Sequence, residues 1–336
     1  MTDLRYYRPL VQAGRVRPEG ALVLAGGPYW FAQAEEIARD GGGRIVAAGD
    51  VPRDWQNRLT RPRAPVAGKT MDRARIMGIL NVTPDSFSDG GDFSEADAAV
   101  AQARRMVSEG ADIIDVGGES TRPGARTVPE AEEIDRTAPV IAAIREAVDV
   151  GVSIDTRKRG VAKAAAAAGA ELVNDISGFT FDVGLAPFCA QSGLAVCVMH
   201  SRGNPETMQD DPRYDDVLLD VYDFLAGQVA MLEELGLPRD RIVVDPGIGF
   251  GKTVAHNLTL LRGIALFHGL GCPVLLGASR KGFIGKLGHA PEAKERAPGS
   301  IAVGLAAVAQ GVQILRVHDV AATAQALALW RAVEKG

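Results

Sequence analysis

From about residue 76 onward, short β-branched apolar runs alternate with longer amphipathic or Ala-rich stretches. The runs are 76–82 (IMGILNV), 112–116 (DIIDV), 152–155 (VSID), 171–175 (ELVND), 194–200 (LAVCVMH), 241–245 (RIVVD), 273–277 (PVLLG) and 312–318 (VQILRVH). Stretches of helical length follow at about 94–109, 130–147, 158–168, 182–192, 214–235, 253–268, 299–310 and 320–334. Continuous apolar strands separated by helices belong to a parallel sheet covered by helices. Eight such units over about 260 residues predict an α/β fold, a (β/α)8 TIM barrel. A doubly wound open sheet is the competing arrangement.

The first 72 residues follow a different pattern. ALVLAGGPYWFAQAEEIARDGGGRIVAAG predicts a strand at 21–25, a helix at about 30–39 and a strand at 45–48, joined by Gly turns. The Pro/Arg-rich stretch 52–69, including TRPRAPVAGK, disfavours regular structure and reads as a linker. The chain therefore divides into a small N-terminal α/β extension with linker (1–72) and a barrel (73–336). The extension is too short to bury a large core alone, so it is expected to pack on the barrel or on a partner.

The strands share one feature: their C-terminal ends are polar. They finish at Asn81, Asp115, Asp155, Asn174 with Asp175, Met199 with His200, Asp245, the Ser279–Arg280–Lys281 run, and Arg316 with His318. Any one of these could cap the following helix. Eight together, with two Arg and a Lys among them, point to the active-site face of a barrel. The loops NVTPDSFSDGG (81–91) and GGESTRPGA (117–125) carry the backbone N–H groups, hydroxyls and guanidinium that a phosphate needs. DPGIGFGKT (245–253) is not a nucleotide P-loop, because Pro246 stands where that motif requires Gly, and Lys252 reads as the start of the next helix. No G-x-G-x-x-G follows a strand.

Charge and cysteines narrow the function classes. Net charge is −5, with 13 Lys/Arg against 8 Asp/Glu in residues 1–75 and the acidic balance confined to the rest. An acidic body argues against nucleic-acid binding, so an anionic substrate must be met by a few placed cations or a metal. The 3 Cys show no metal-ligand spacing and suggest a reducing compartment. No apolar run approaches the roughly 20 residues needed to span a bilayer, and MTDLRYYRPL lacks a signal-peptide core. A cytoplasmic protein is expected, with no membrane partner.

Seven motifs in order, NVTPDSFSDGG, DIIDVGGESTRPGA, VSIDT, NDISG, DPGIGFGKT, GASRKGFIG and RVHDV, resemble those of the dihydropteroate synthases, pterin-binding TIM-barrel enzymes. The resemblance covers nearly all of 75–320. It implies a homodimer in folate biosynthesis that condenses 6-hydroxymethyl-7,8-dihydropterin diphosphate with 4-aminobenzoate. It also implies a sulfonamide target. Carried over by position, it assigns Asp155, Asn174, Met199, Asp245, Phe250 and Lys281 to the pterin. Asn81, Thr121, Arg122, Arg316 and His318 go to the diphosphate, with Asn81 the Mg²⁺ ligand. Phe87, Thr121, Pro123 and Ser279 go to the aminobenzoate, and Asp155, Lys281, Arg122, Arg316 and His318 are expected to carry catalysis.

The chemistry suits these assignments. Carboxylates and an amide read the donors of a pterin edge, Lys reaches its carbonyl, and Arg grips phosphate in bidentate fashion. An aromatic amine needs no base near neutral pH, so diphosphate departure is the hard step and an SN1-like path is expected. Three other readings stay open. One is a pterin-binding methyltransferase of the methyltetrahydrofolate type, which has no need of the STRPGA and RVH motifs. Another is an aldolase-type barrel with Lys281 as Schiff base, which requires a desolvated lysine of depressed pKa, whereas Lys281 lies between Arg280 and a Gly-rich turn. The third is a catalytically dead binding paralogue.

Overall fold

The computed structural model describes residues 4–82, 95–120, 127–203, 208 and 210–335. Its first sheet corrects the expected strand–helix–strand unit. Strand β1 (Arg5–Pro9) pairs antiparallel with β4 (Gln33–Ala38), and β4 with β5 (Gly43–Ala47). A two-residue ribbon, β2 (Leu22–Val23) with β3 (Trp30–Phe31), lies between them in sequence. The helix expected at 30–39 is thus strand. Its AQAEEIA composition favours helix, but cross-strand pairing overrides that preference. Glu35 stands opposite Arg8 and Glu36 opposite Arg44, and each makes an ion pair (2.6 and 3.1 Å) with that partner.

The linker expected at 52–69 is also more ordered than its composition suggests. Helix α1 (Arg53–Thr60) occupies its first half. The rest ends in a tight turn in which Val66 and Lys69 exchange backbone hydrogen bonds of 2.9 Å, with Ala67 and Gly68 both at positive φ. This turn closes the barrel floor: Val66, Ala67 and Met71 share one buried cluster with Met77, Ile113, Leu172, Ala195, Cys197, Val243, Leu275 and Ile314. Gly151 is required there, since a Cβ would lie 2.5 Å from the Ala67 carbonyl oxygen.

The barrel follows the expected alternation. Its elements are β6 (Arg75–Asn81), α2 (Glu95–Ser108), β7 (Ile113–Gly117), α3 (Glu130–Ala147), β8 (Gly151–Asp155), α4 (Arg159–Ala167), β9 (Leu172–Asp175) and α5 (Leu185–Ser192). They continue with β10 (Ala195–Met199), α6 (Val217–Glu234), β11 (Ile242–Asp245), α7 (Val254–Arg262), β12 (Leu275–Leu276), α8 (Gly282–Leu287), α9 (Ala297–Val308), β13 (Ile314–Val317) and α10 (Val320–Lys335). The strands pair in parallel in the order β11-β10-β9-β8-β7-β6-β13-β12, and a parallel bridge from Val244 to Val274 joins the two ends. The helix expected at 253–268 stops at Arg262 before Gly263 and continues as a 3-10 turn over Ile264–Leu270.

Alternation along each strand sorts the side chains into two layers. Ile76, Leu80, Ile114, Val116, Val152, Ile154, Val173, Val196, Val198, Val244, Leu276 and Leu315 join the core beneath the helices. The inward positions change character along the axis: apolar at the floor, polar at the C-terminal mouth. The extension packs against α6 and the 3-10 turn. Trp55 stacks on Tyr222 (5.6 Å), Tyr6 meets Tyr222 edge-on (5.5 Å), and Arg39 pairs with Asp220 (2.8 Å) and Asp223 (2.6 Å).

Candidate active site

Strand register aligns Asn81, Gly117, Asp155 and Asn174 in one row across β6, β7, β8 and β9. All belong to the inward-facing set at the barrel mouth. A further carboxylate, Asp115, lies one inward position below on β7, and Arg316 bridges it to Asp155: its Nε donates to Asp115 Oδ2 (2.6 Å) and its NH2 to Asp155 Oδ2 (2.5 Å). Asn174 Nδ2 donates to the same Asp115 oxygen (3.1 Å). Among the described residues, the other oxygens, Asp115 Oδ1 and Asp155 Oδ1, are buried without a hydrogen-bond partner, as is Ser153 Oγ. Buried acceptors left open in this way await donors from a ligand. Burial pushes the Asp155 carboxyl up from the usual range while Arg316 opposes the shift.

Asp245 lies at the end of β11, where its Oδ1 accepts from Gly247 N (2.7 Å). Burial raises its pKa to about 6. Opposite in charge, Lys281 places Nζ 3.8 Å from the centre of the Phe250 ring. Burial, with Arg316 adding repulsion, lowers Lys281 to about 8. Phe250 and Met199 form a buried apolar cluster with Ile176 and Met208. These side chains wall one side of the cup.

His318 and Ser279 act as a pair. Ser279 Oγ accepts from His318 N (3.2 Å) and sits 3.0 Å from His318 Nδ1. Burial, then Arg316 and Arg280, lowers the imidazole to about 4, so it is neutral at pH 7. The hydroxyl and Nδ1 share one hydrogen bond whose direction follows the imidazole tautomer. Ser279 is thereby tied to His318. Arg280, left-handed at φ 57°, is tied to Asp319 (2.5 Å). Asp175 is a loop cap: it accepts from the backbone N–H groups of Ser177 and Phe179, both at 2.7 Å. Asn81 is half-buried at the end of β6, with its side-chain oxygen 3.7 Å from the point where a Gly117 Cβ would stand and Asp155 Oδ2 3.8 Å from that point. Phe87, Thr121, Arg122 and Pro123 lie outside the described residues.

Two expectations are corrected. Lys252 does not begin a helix: it is buried, and its Nζ donates to the carbonyls of Phe250 (2.9 Å) and His200 (3.3 Å) and meets His200 Nδ1 at 2.9 Å. It holds the loop after β11 against the end of β10. Lys281 does have a depressed pKa, so that property gives no ground for setting the aldolase reading aside.

Comparison with known proteins sets it aside instead. A family model described as pterin binding enzyme matches residues 77–318. The dihydropteroate synthase of Synechocystis is 48% identical over 277 residues, covering 80% of this chain and 96% of its own. The chain belongs to the dihydropteroate synthase family. The Escherichia coli K12 enzyme is 46% identical over 257 residues, covering 76% of this chain and 90% of its own. Among solved structures, Xanthomonas albilineans dihydropteroate synthase with 4-aminobenzoic acid aligns with a TM-score of 0.76 at 45% identity, covering 81% of this chain and 98% of that one. A complex of the Xanthomonas enzyme with 7,8-dihydropteroate aligns at 0.73 and 41%, covering 81% of this chain and 99% of that one. These findings support the synthase reading and neither the methyltransferase nor the dead paralogue.

A buried charge cluster escaped the sequence reading altogether. Lys158 Nζ pairs with Glu119 (2.6 Å) and Glu133 (2.5 Å), and Arg157 pairs with Glu119 (2.8 Å). Glu119 also accepts from Val128 N (2.8 Å), joining the two ends of the loop that contains Thr121, Arg122 and Pro123. The clue was present in the Glu of GGESTRPGA and in the Arg–Lys pair after VSIDT, but their meeting is tertiary.

Proposed function

We propose that the chain joins the amine of 4-aminobenzoate to the methylene carbon of 6-hydroxymethyl-7,8-dihydropterin diphosphate, releasing diphosphate and 7,8-dihydropteroate. The carrying observation is the convergence of strand ends: buried Asp155, Asn174 and Asp245 close β8, β9 and β11, and Met199, level with Asp245, shares a buried apolar cluster with Phe250. A flat, donor-edged heterocycle fits such a cup, and Lys281 is placed to donate to its carbonyl side.

The residues favour departure of diphosphate over activation of the amine. Asp155 and Asp245 supply negative charge beneath the ring, where a pterin cation develops. His318 and the remaining NH1 of Arg316, with Thr121 and Arg122, meet the leaving diphosphate. Phe87 and Pro123 shape the aminobenzoate pocket, and Ser279 serves there by orienting His318. Exclusion of water preserves the cation until the amine attacks.

Asn81 fits a single ligand position for Mg²⁺. Its side-chain oxygen lies near the Asp155 carboxylate, and it has no hydrogen-bond donor among the described residues. Among those residues no cluster of three His, Cys, Asp or Glu could hold a metal, so diphosphate and water must supply the other ligands. Bound there, Mg²⁺ would neutralise charge on the diphosphate. A homodimer in the cytoplasm belongs to the same reading. The family resemblance supports the dimer, and three free, buried thiols fit a reducing compartment. Residues 1–72 serve as a support packed on the barrel.

The test is purified protein with the pterin diphosphate, Mg²⁺ and radiolabelled 4-aminobenzoate. Labelled dihydropteroate is expected. Its absence across pH 6–8 from folded protein would overturn the reading.

A further inference from the structure

Asp115 is fully buried inside the barrel and none of the substrate roles above falls to it. Its Oδ2 accepts from two groups at once, Arg316 Nε at 2.6 Å and Asn174 Nδ2 at 3.1 Å. An ionised carboxylate can only accept, so whatever faces it must be a donor. The Asn174 amide is therefore oriented with its NH2 toward Asp115, and its carbonyl oxygen is turned elsewhere. Asn174 is itself buried, and its row mate Asp155 keeps an oxygen open on the same inner surface.

We propose that Asp115 is a positioning residue that makes the Asp155–Asn174–Asp245 part of the cup acceptor-only, by fixing the Asn174 amide with its oxygen toward the ligand while anchoring Arg316. Asp155 Oδ1, Asn174 Oδ1 and Asp245 then present acceptors together, and the ring that fits must bring N–H donors to all of them. Were the amide free to turn, its NH2 would meet those donors and reject the ring. The ligand class is a fused aminopyrimidinone with adjacent ring N–H and exocyclic amine. The inference rests on the pterin reading above and refines how that reading achieves selectivity.

Two substitutions separate orientation from mere bulk. Asp115→Leu removes the acceptor at similar volume; Asp115→Asn keeps one acceptor oxygen and is the conservative rescue. For D115L, binding of 6-hydroxymethyl-7,8-dihydropterin diphosphate by calorimetry should weaken at least tenfold. KM for 4-aminobenzoate should stay within threefold of the unsubstituted protein. D115N should recover part of the lost affinity. In an Asn174→Ala background the D115L loss should shrink, because one of its two routes is already gone. A D115L protein that binds within twofold of the unsubstituted one, or losses that simply multiply in the double variant, would overturn the role. If the unsubstituted protein fails to bind the pterin diphosphate, the pterin reading itself falls, a result distinct from either. Should D115L not fold, the Asn174 side-chain amide can be followed by NMR in the unsubstituted protein. Protons as exchangeable as those of an exposed Asn would sink the proposal, and protected ones support it.

Discussion

In the proposed pterin site Asp245 and Lys281 carry opposite charges, and burial works against both. The carboxyl is pushed up to about 6 and the ammonium down to about 8. Asp245 must be ionised to accept and Lys281 protonated to donate. Asp155, raised to about 7, must be ionised as well, so kcat/KM for the pterin substrate should rise through pH 6–7 and fall through pH 8. Lys281→Arg should remove the alkaline limb, because a guanidinium stays charged there; a limb unchanged in K281R would assign it to another group. His318, lowered to about 4, contributes no limb in this range. These values could not be read from the sequence, since each depends on how far a side chain is withdrawn from water.

At the scale of elements, Glu119 and Val128, on either side of residues 121–126, are joined through a network of paired charges. Lys158 compensates Glu119 and Glu133, and all three are buried. Among the described residues, Lys158→Met leaves Glu119 with Arg157 as its remaining cation and Glu133 without one. Such a loss costs about 3–5 kcal/mol, to be checked as a lower urea midpoint. Because Glu119 also joins the loop ends through Val128 N, KM for 4-aminobenzoate should rise more than KM for the pterin. Equal changes would confine the cluster to a stability role. Lys252 does comparable work after β11, where DPGIGFGKT looks like the run-up to a helix but encloses a buried ammonium.

For the whole molecule, the extension and barrel share one hydrophobic core, and the turn at 66–71 seals the barrel floor opposite the mouth. Trp55 sits between Tyr7, Tyr222 and the backbone of Gly269, where a Cβ would lie 2.2 Å from the indole. Trp55→Ala should destabilise by about 3–5 kcal/mol in chemical denaturation. With the site at the mouth, kcat of the folded fraction should stay within twofold. A large fall in kcat at full folding would mean that the extension acts on the site.

For the barrel, the sequence alone determined the strand count, the alternation and the end of the strands that carries chemistry. These follow from local periodicity and from the desolvation cost of polar groups, which any reading of the chain can apply. Asp155, Asn174, Asp245, Lys281, Arg316 and His318 were legible for that reason. Tertiary structure alone decided what pairs with what. It made 33–38 a strand because β1 and β5 offer partners, brought Asp115 onto both Arg316 and Asn174, and buried Lys252 against His200. Such pairings join residues up to 201 positions apart, as Arg316 and Asp115 are, and no local pattern encodes them.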